Sequence, residues 1–370
     1  MTTPVFAHLP SHRPPCAPER REEILRSPGF GHHFTDHMVT LRWNERRGWH
    51  DGQVRPYAPL PLDPAAMVLH YGQGVFEGLK VHRGPDGRLA AFRPVLNARR
   101  FRESAARMAM PELPEETFLA ACDALVARDR AWVSGRPGHS LYLRPFLIAT
   151  EPGLGVRPAR EYLFAVIASP TEGYFARGGD PVSVWICEEY VRAAPGGTGA
   201  AKTGANYAAS LLGQAQAEER GCDQVVWLDA QERRWVEEMG AMNLFFVYGD
   251  RVVTPRLTGS LLPGITRSSL LDLARDLGHR AEEGRISVRQ WQRDAANGSL
   301  TEVFACGTAA VITPVGRASS AAGPWTVGDG RCGPVTARLR EALTAIQRGT
   351  AADRRGWMRE VAPAPALSAV

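Results

Sequence analysis

Lysine occurs only twice in this chain, at Lys80 and Lys202, while arginine supplies the other 42 of its 44 basic residues (44 − 2 = 42). Arginine cannot replace lysine where chemistry needs an amine that can lose its proton. Each surviving lysine is therefore a candidate for special duty, against the plainer reading of chance survival in an arginine-biased chain. Lys202 lies in Gly196-Gly197-Thr198-Gly199-Ala200-Ala201-Lys202-Thr203, close to the phosphate-cradling pattern GxxxxGK[ST]. Val225-Val226-Trp227-Leu228-Asp229 could then pose as an apolar strand ending in a magnesium-binding acid. Two departures argue against nucleotide hydrolysis. Ala201 stands where the motif needs glycine for close approach to phosphate, and Arg192-Ala193-Ala194-Pro195 separates the loop from any preceding strand. The remaining reading is an amine on a tight turn at a helix start, able to form a Schiff base with an aldehyde cofactor.

Such a site makes further demands. A carboxylate must pair with a ring nitrogen, a hydroxyl must meet a phenolic oxygen, and a phosphate wants a helix N-terminus with an arginine. Glu237-Glu238-Met239-Gly240, read as lying between two strands, offers the acid. Tyr207, five residues past Lys202, offers the hydroxyl. Leu262-Pro263-Gly264-Ile265-Thr266 offers backbone N–H groups at a helix start, and Arg99 and Arg100 lie on a predicted helix. Taken singly, each has a plain alternative: a core aromatic, a solvated acid, surface arginines.

The elements that must position these groups follow from periodicity and turn residues. The first 25 residues, rich in Pro, His and Arg, are expected to lie loosely on the surface. A strand is predicted over 38–43, and a hairpin over 78–82 and 89–92 through Gly84-Pro85-Asp86-Gly87. Apolar spacing predicts amphipathic helices over 97–108 and 114–130, and strands over 141–148 and 162–169. Residues 1–175 thus read as a small α+β domain and 176–182 as a linker. Residues 183–370 read as the domain carrying Lys202, with strands over 182–186, 224–228, 243–247 and 302–305 and helices over 206–220, 266–277 and 335–348. Pro334 gives the last helix its start signal. No repeat of fixed period appears.

Apolar residues make up 44% of the chain and charged residues 22%, the profile of a globular protein. No apolar run is long enough to span a membrane, and the N-terminus lacks an apolar leader core, so a cytoplasmic location is expected. The formal charge of +5 comes from dispersed arginines rather than a basic patch. That argues against nucleic acid and fits a mild attraction for small anionic substrates. The six scattered cysteines form no CxxC pair and read as reduced thiols. His32, His33 and His37 superficially offer metal ligands, but their segment reads as loop and strand, and no metal is expected.

Several segments, taken in order, resemble the branched-chain amino acid aminotransferases, a group of fold-type IV pyridoxal-phosphate (PLP) enzymes. They are Phe30-Gly31-His32-His33-Phe34-Thr35-Asp36-His37-Met38, His70-Tyr71-Gly72-Gln73-Gly74-Val75-Phe76-Glu77-Gly78-Leu79-Lys80, Phe92-Arg93-Pro94, Tyr142-Leu143-Arg144-Pro145, Lys202-Thr203-Gly204-Ala205-Asn206-Tyr207, residues 237–243, residues 261–267 and residues 302–310. The resemblance covers most of the chain. It implies the D-amino acid aminotransferase-like fold: a small N-terminal α+β domain, a larger C-terminal domain, an active site between them, and a homodimer.

The resemblance also implies roles. Lys202 carries PLP and shuttles the α-proton; Glu238 pairs with the pyridine nitrogen; Tyr207 meets the phenolic oxygen. Arg100, rather than Arg99, binds phosphate with the backbone of Ile265 and Thr266 and the hydroxyl of Thr308. Phe30, Tyr71, Tyr142, Tyr174 and Ala241 wall the side-chain pocket, with Tyr71 and Val156 coming from the partner subunit. Arg144, Tyr142 and the backbone at Thr308-Ala309 handle carboxylates. Lys80 falls inside a matched segment but reads as structural or surface. The implied reaction moves an amino group between leucine, isoleucine or valine and 2-oxoglutarate. Relatives of the same fold, a D-amino acid aminotransferase, an aminodeoxychorismate lyase or a specialised-metabolism aminotransferase, are the competing readings. Two departures stand out. Ala310 and Thr313 occupy the positions of a redox CxxC found in many eukaryotic members, and Ala241 stands where some members have threonine.

Overall fold

The computed structural model describes residues 6–10, 14–173 and 179–362. The chain divides into two compact units. One comprises residues 1–174 together with 201–204 and 346–370, and the other comprises 175–200 and 205–345. The short segment bearing Lys202 thus groups with the N-terminal unit, although the sequence on both sides of it belongs to the other.

The first unit is built on a nine-stranded, mostly antiparallel sheet. Its order is Ala7–His8, Gly48–Pro56, His37–Asn44, Glu161–Thr171, Ser140–Ala149, Leu79–Arg83, Leu89–Phe92, Met358–Glu360, with Gly74–Phe76 pairing onto Ser140–Ala149. Two helices, Pro94–Arg107 and Glu115–Arg128, supply the other side of the core. Phe101 and Phe118 from the helices meet Phe164 from the sheet, with ring centroids 5.3 to 6.3 Å apart. Pro94 occupies the first turn of its helix, where its missing N–H costs nothing. Along that helix Ala98, Phe101 and Ala105 form an apolar stripe, while Asn97, Arg100 and Ser104, at positions i, i+3 and i+7, form a buried polar stripe beside it.

The N-terminal residues are not uniformly loose. Pro18–Ile24 is a helix, and Ala7–His8 adds to the sheet edge beside Gln53 and Val54. The cause is tertiary: Phe6 and Leu25 are buried, the Cys16 N–H donates to Asp36 Oδ1 at 2.7 Å, and Arg136 donates to the Leu25 carbonyl at 3.0 Å.

The second unit holds another nine-stranded sheet, in the order Val236–Met239, Gln224–Leu228, Val182–Cys187, Val311–Ser320, Glu302–Gly307, Met242–Tyr248, Arg251–Pro255, Arg280–Gly284, with Gly323–Thr326 hairpinned onto Val311–Ser320. Val236–Met239 also pairs with Met242–Tyr248, so six strands close on themselves like a barrel. The core is Val184, Ile186, Val226, Phe246, Trp291 and their neighbours. Glu237-Glu238-Met239 forms a strand of its own rather than a connection between two strands, because Gly240 turns it tightly into the next one. The helix predicted over 206–220 is broken into Gly204–Ala208 and Leu211–Glu219. Among the described residues no helix is long and apolar enough to cross a membrane, and no three His, Cys, Asp or Glu side chains gather as a metal site.

Candidate active site

In the first unit, residues 201–204 run alongside the Gly74–Phe76 strand. Thr203 bridges Val75, the Phe76 N–H donates to the Lys202 carbonyl at 3.0 Å, and the Thr203 hydroxyl donates to the Gly74 carbonyl at 2.8 Å. The Lys202 N–H donates to Ser104 Oγ at 2.9 Å, so the polar stripe of helix Pro94–Arg107 fixes the lysine backbone. The Lys202 amine lies 4.8 Å from the centre of the Phe76 ring. Burial lowers its pKa from 10.5 to about 8, helped by the Arg100 charge and opposed by Glu77.

Next along the strand, Glu77 is fully buried. It accepts from Arg100 Nε at 2.6 Å and Nη2 at 3.0 Å, from Asn97 Nδ2 at 2.8 Å, and from the Gly78 N–H at 3.0 Å. Burial pushes its carboxyl up, but the Arg100 charge and hydrogen bonds, then Lys202 and Asn97, outweigh it and hold it below the ordinary value. Arg144 lies 4.8 Å from the Phe76 ring and donates to the Tyr142 hydroxyl at 3.3 Å. Phe30 packs edge-on against Tyr142 at 5.1 Å. A Cβ at position 78 would sit 1.9 Å from the Tyr142 oxygen, so only glycine lets Tyr142 lie there. Five of the residues singled out from sequence, Lys202, Arg100, Phe30, Tyr142 and Arg144, therefore converge on one end of this sheet.

Tyr71 and Val156 lie elsewhere in the unit, on its surface. Val156 is 87% exposed and Leu154 68%, and the Tyr71 hydroxyl donates to the Leu154 carbonyl. Lys80 is buried rather than on the surface. Its strand register places it opposite Tyr142, and burial, then Arg348, lowers its pKa to about 8. Tyr174 lies outside the described residues.

In the second unit the candidates meet at one end of the barrel. Glu238 is registered opposite Asn243, and Asn243 opposite Cys306. Ala241 and the Thr308-Ala309 turn therefore cap the same end, Ala241 exposed and the turn half-buried. Strand alternation turns Glu238 and Glu237 to opposite sides. Glu238 accepts the Leu262 N–H at 2.7 Å and Asn243 Nδ2 at 3.4 Å, and it lies 3.1 Å from Arg192 Nε. Glu237 instead meets the Ser260 hydroxyl; burial raises its pKa, with Ser260 and Arg192 opposing. Leu262 leads into helix Ile265–Asp276, whose N-cap is Gly264 with no side-chain cap. The first-turn N–H groups of Ile265 and Thr266 are thus left without a side-chain acceptor, which suits an anion. Tyr207 is half-buried in the short helix Gly204–Ala208.

The sequence reading did not single out Glu77, Asn97, Ser104, Arg192 or Asn243. Helical spacing from Arg100 could have found Asn97 and Ser104; nothing local marks Arg192.

Comparison with known proteins bears on this geometry. Residues 74–318 match the family described as "Amino-transferase class IV". A Streptomyces coelicolor protein named "Probable branched-chain-amino-acid aminotransferase" is 64% identical over 363 residues, covering 98% of this chain and 100% of that one. Among solved structures, the branched-chain amino acid aminotransferase of Escherichia coli superposes with a TM-score of 0.74 at 29% identity, covering 88% of this chain and 99% of that one. The T.th. branched-chain amino acid aminotransferase, complexed with N-(5'-phosphopyridoxyl)-L-glutamate, gives 0.69 at 29% identity with the same coverage. The chain belongs to the class IV aminotransferases, of fold type IV, and within them to the branched-chain-amino-acid aminotransferase family.

Proposed function

We propose that this protein transfers amino groups reversibly between L-leucine, L-isoleucine or L-valine and 2-oxoglutarate, with PLP held by Lys202. The carrying observation is the half-buried Lys202 amine beside the Glu77–Arg100 pair, with its pKa lowered to about 8. Such an amine is available as a nucleophile near neutral pH, where an ordinary lysine is not. The donor set fits PLP. An amine stands ready for its aldehyde, the buried Glu238 carboxylate suits a pyridine nitrogen, and the uncapped N-terminus at Ile265 and Thr266, with Thr308 and Arg100, suits its phosphate.

When bound, PLP supplies a carbonyl carbon that takes up an amine and a ring that accepts electron density. Lys202 takes the α-proton at its amine nitrogen and returns it, one group serving as base and acid. Glu77 holds Arg100 in place, Asn97 holds Glu77, and Ser104 holds the Lys202 backbone. Glu238 keeps a proton at the pyridine nitrogen, and Tyr207 donates to the phenolic oxygen. Arg144, Tyr142 and the Thr308-Ala309 backbone bind carboxylate, while Phe30, Tyr142, Tyr174 and Ala241 surround an apolar side chain. Apolar contact alone discriminates weakly, which suits a pocket that must also admit glutamate.

We place the enzyme in the cytoplasm as a homodimer. Leu69, Tyr71, Leu154 and Val156 are exposed apolar residues of one unit, which supports burial of this surface by a second copy, with Tyr71 and Val156 completing the partner's pocket. Steady-state kinetics test the reaction. Leucine and 2-oxoglutarate should give parallel double-reciprocal lines and form glutamate. Activity confined to D-amino acids, or none with branched-chain substrates, would refute the substrate assignment.

A further inference from the structure

Arg192 belongs to none of the segments that carry the family resemblance, yet it is buried at the centre of the second unit's site. Its Nε lies 3.1 Å from Glu238 Oε2, an ion-pair distance without hydrogen-bond alignment. Its Nη2 donates to the Gly199 carbonyl at 3.4 Å and, more closely, to the Ser260 carbonyl. These three partners come from three separate stretches: the strand bearing Glu238, the loop three residues before Lys202, and the segment leading to helix Ile265–Asp276. Two of them pass unusually close. A Cβ at Gly199 would fall 2.2 Å from the Ser260 oxygen, so the lysine loop and the helix approach cross backbone to backbone, and the guanidinium bridges both carbonyls at the crossing.

The electrostatics point the same way. Glu237 and Glu238 are consecutive and both buried, and the Arg192 guanidinium stands at ion-pair distance from Glu238. Burial disfavours an ionised carboxylate, while a guanidinium that close favours it. Glu237 faces the other side of the strand and takes the Ser260 hydroxyl, and the Arg192 charge favours its ionised form as well. Arg192 thus acts on Glu238, the acid assigned to the ring nitrogen, and its planar fork can serve several acceptors at once where a lysine ammonium acts as a point charge.

We propose that Arg192 is a positioning residue for the cofactor: it keeps Glu238 ionised and aimed, and it locks the lysine loop against the approach to the phosphate-binding helix. This rests on the PLP reading above.

The test compares wild-type holoenzyme with Arg192→Gln and Arg192→Lys. Three quantities are measured: PLP dissociation constant, the pH midpoint of the bound cofactor's visible absorbance, and thermal stability without cofactor. Loss of an outer-shell partner that orients a metal ligand costs about 10- to 100-fold in affinity, and loss of the partner that orients Glu238 is expected to cost the same order. Arg192→Gln should lose affinity in that range and shift the absorbance midpoint. Arg192→Lys keeps the charge but not the fork, so it should restore the midpoint while affinity stays weak. A merely structural role would lower stability in both variants and leave the midpoint of whatever cofactor binds unchanged. Midpoint and affinity within about twofold of wild type in Arg192→Gln would overturn the inference, since the supporting role carries at least the tenfold effect above. If that variant does not fold, unchanged affinity in Arg192→Lys overturns it. Failure of the wild type itself to bind PLP would instead sink the function proposed above.

Discussion

Glu77 and Arg100 meet end to end, Oε1 to Nε at 2.6 Å, and solvent reaches 0% of one side chain and 8% of the other. Removing one member of such a pair leaves the other charge buried and uncompensated, typically at a cost of about 3–5 kcal/mol. Glu77→Ala should lower the denaturant midpoint by a corresponding amount and also weaken cofactor affinity, because Arg100 loses its orientation. Chemical denaturation beside PLP titration checks both; a variant as stable as wild type would show that water or another group satisfies Arg100.

The same pair sets an acid limb. Burial pushes the Glu77 carboxyl up, but Arg100, Lys202 and Asn97 together hold it below its ordinary value of 4.5. Its contribution is therefore fully present above about pH 4.5 and is lost as pH falls through the lowered value. Acid unfolding followed by circular dichroism should be less steep in Glu77→Gln than in wild type.

Lys202 behaves in the opposite sense. With its pKa lowered from 10.5 to about 8 by burial and Arg100, the unfolded chain binds a proton that the folded one lacks between those pH values. Stability of the cofactor-free protein rises with pH across that window. Lys202→Met should therefore be more stable than wild type at about pH 7, by up to about 3 kcal/mol, with the gap closing towards pH 10.5. Equal stability of the two cofactor-free proteins from about pH 7 to about pH 10 would mean that the amine is solvated.

Gly78 is required by the ring above it, since a methyl group there would collide with the Tyr142 oxygen at 1.9 Å. Gly78→Ala should displace Tyr142 and with it the Arg144 contact. KM for amino and oxo acids should then rise by about 10-fold, the effect of losing one charge-assisted hydrogen bond, while Lys202 still takes up cofactor. Truncating the ring in Gly78→Ala/Tyr142→Ala should recover stability but not KM.

The thiols give a simpler outcome. Cys122 and Cys306 are buried and pushed up by burial, Cys306 with Arg267 opposing, and Cys187 is buried as well. With Ala310 and Thr313 in place of a CxxC, mild peroxide should leave activity unchanged and thiol reagents should label Cys16 and Cys332 first. Rapid loss of activity with labelling at Cys306 would contradict this.

Much of this was legible before any coordinates, for physical reasons that differ by element. The helix Pro94–Arg107 announced itself over 97–108 by apolar spacing, and the hairpin Leu79–Arg83 with Leu89–Phe92 by its turn residues. Gly48–Pro56 and Val311–Ser320 were not found: the first carries Asp51, Gly52 and Pro56, and the second is interrupted by Pro314 and Gly316, so neither shows clean alternation. They are strands because neighbours pair with them, which is tertiary information. The helix over 206–220 read as continuous because nothing in its composition marks the break after Ala208. Among site residues, Lys202 was visible by rarity and context, whereas Glu77 became visible only through its partner, and Arg192 only through three contacts from distant stretches.

The claim that Lys202 carries the cofactor is tested most directly by treating PLP-loaded protein with borohydride, which fixes the cofactor carbon to its amine, and mapping the modified peptide by mass spectrometry. The account predicts one pyridoxyl group per chain, on Lys202, with the modification lost when L-leucine is added before borohydride. Modification on Lys80, or none on either lysine, would contradict it.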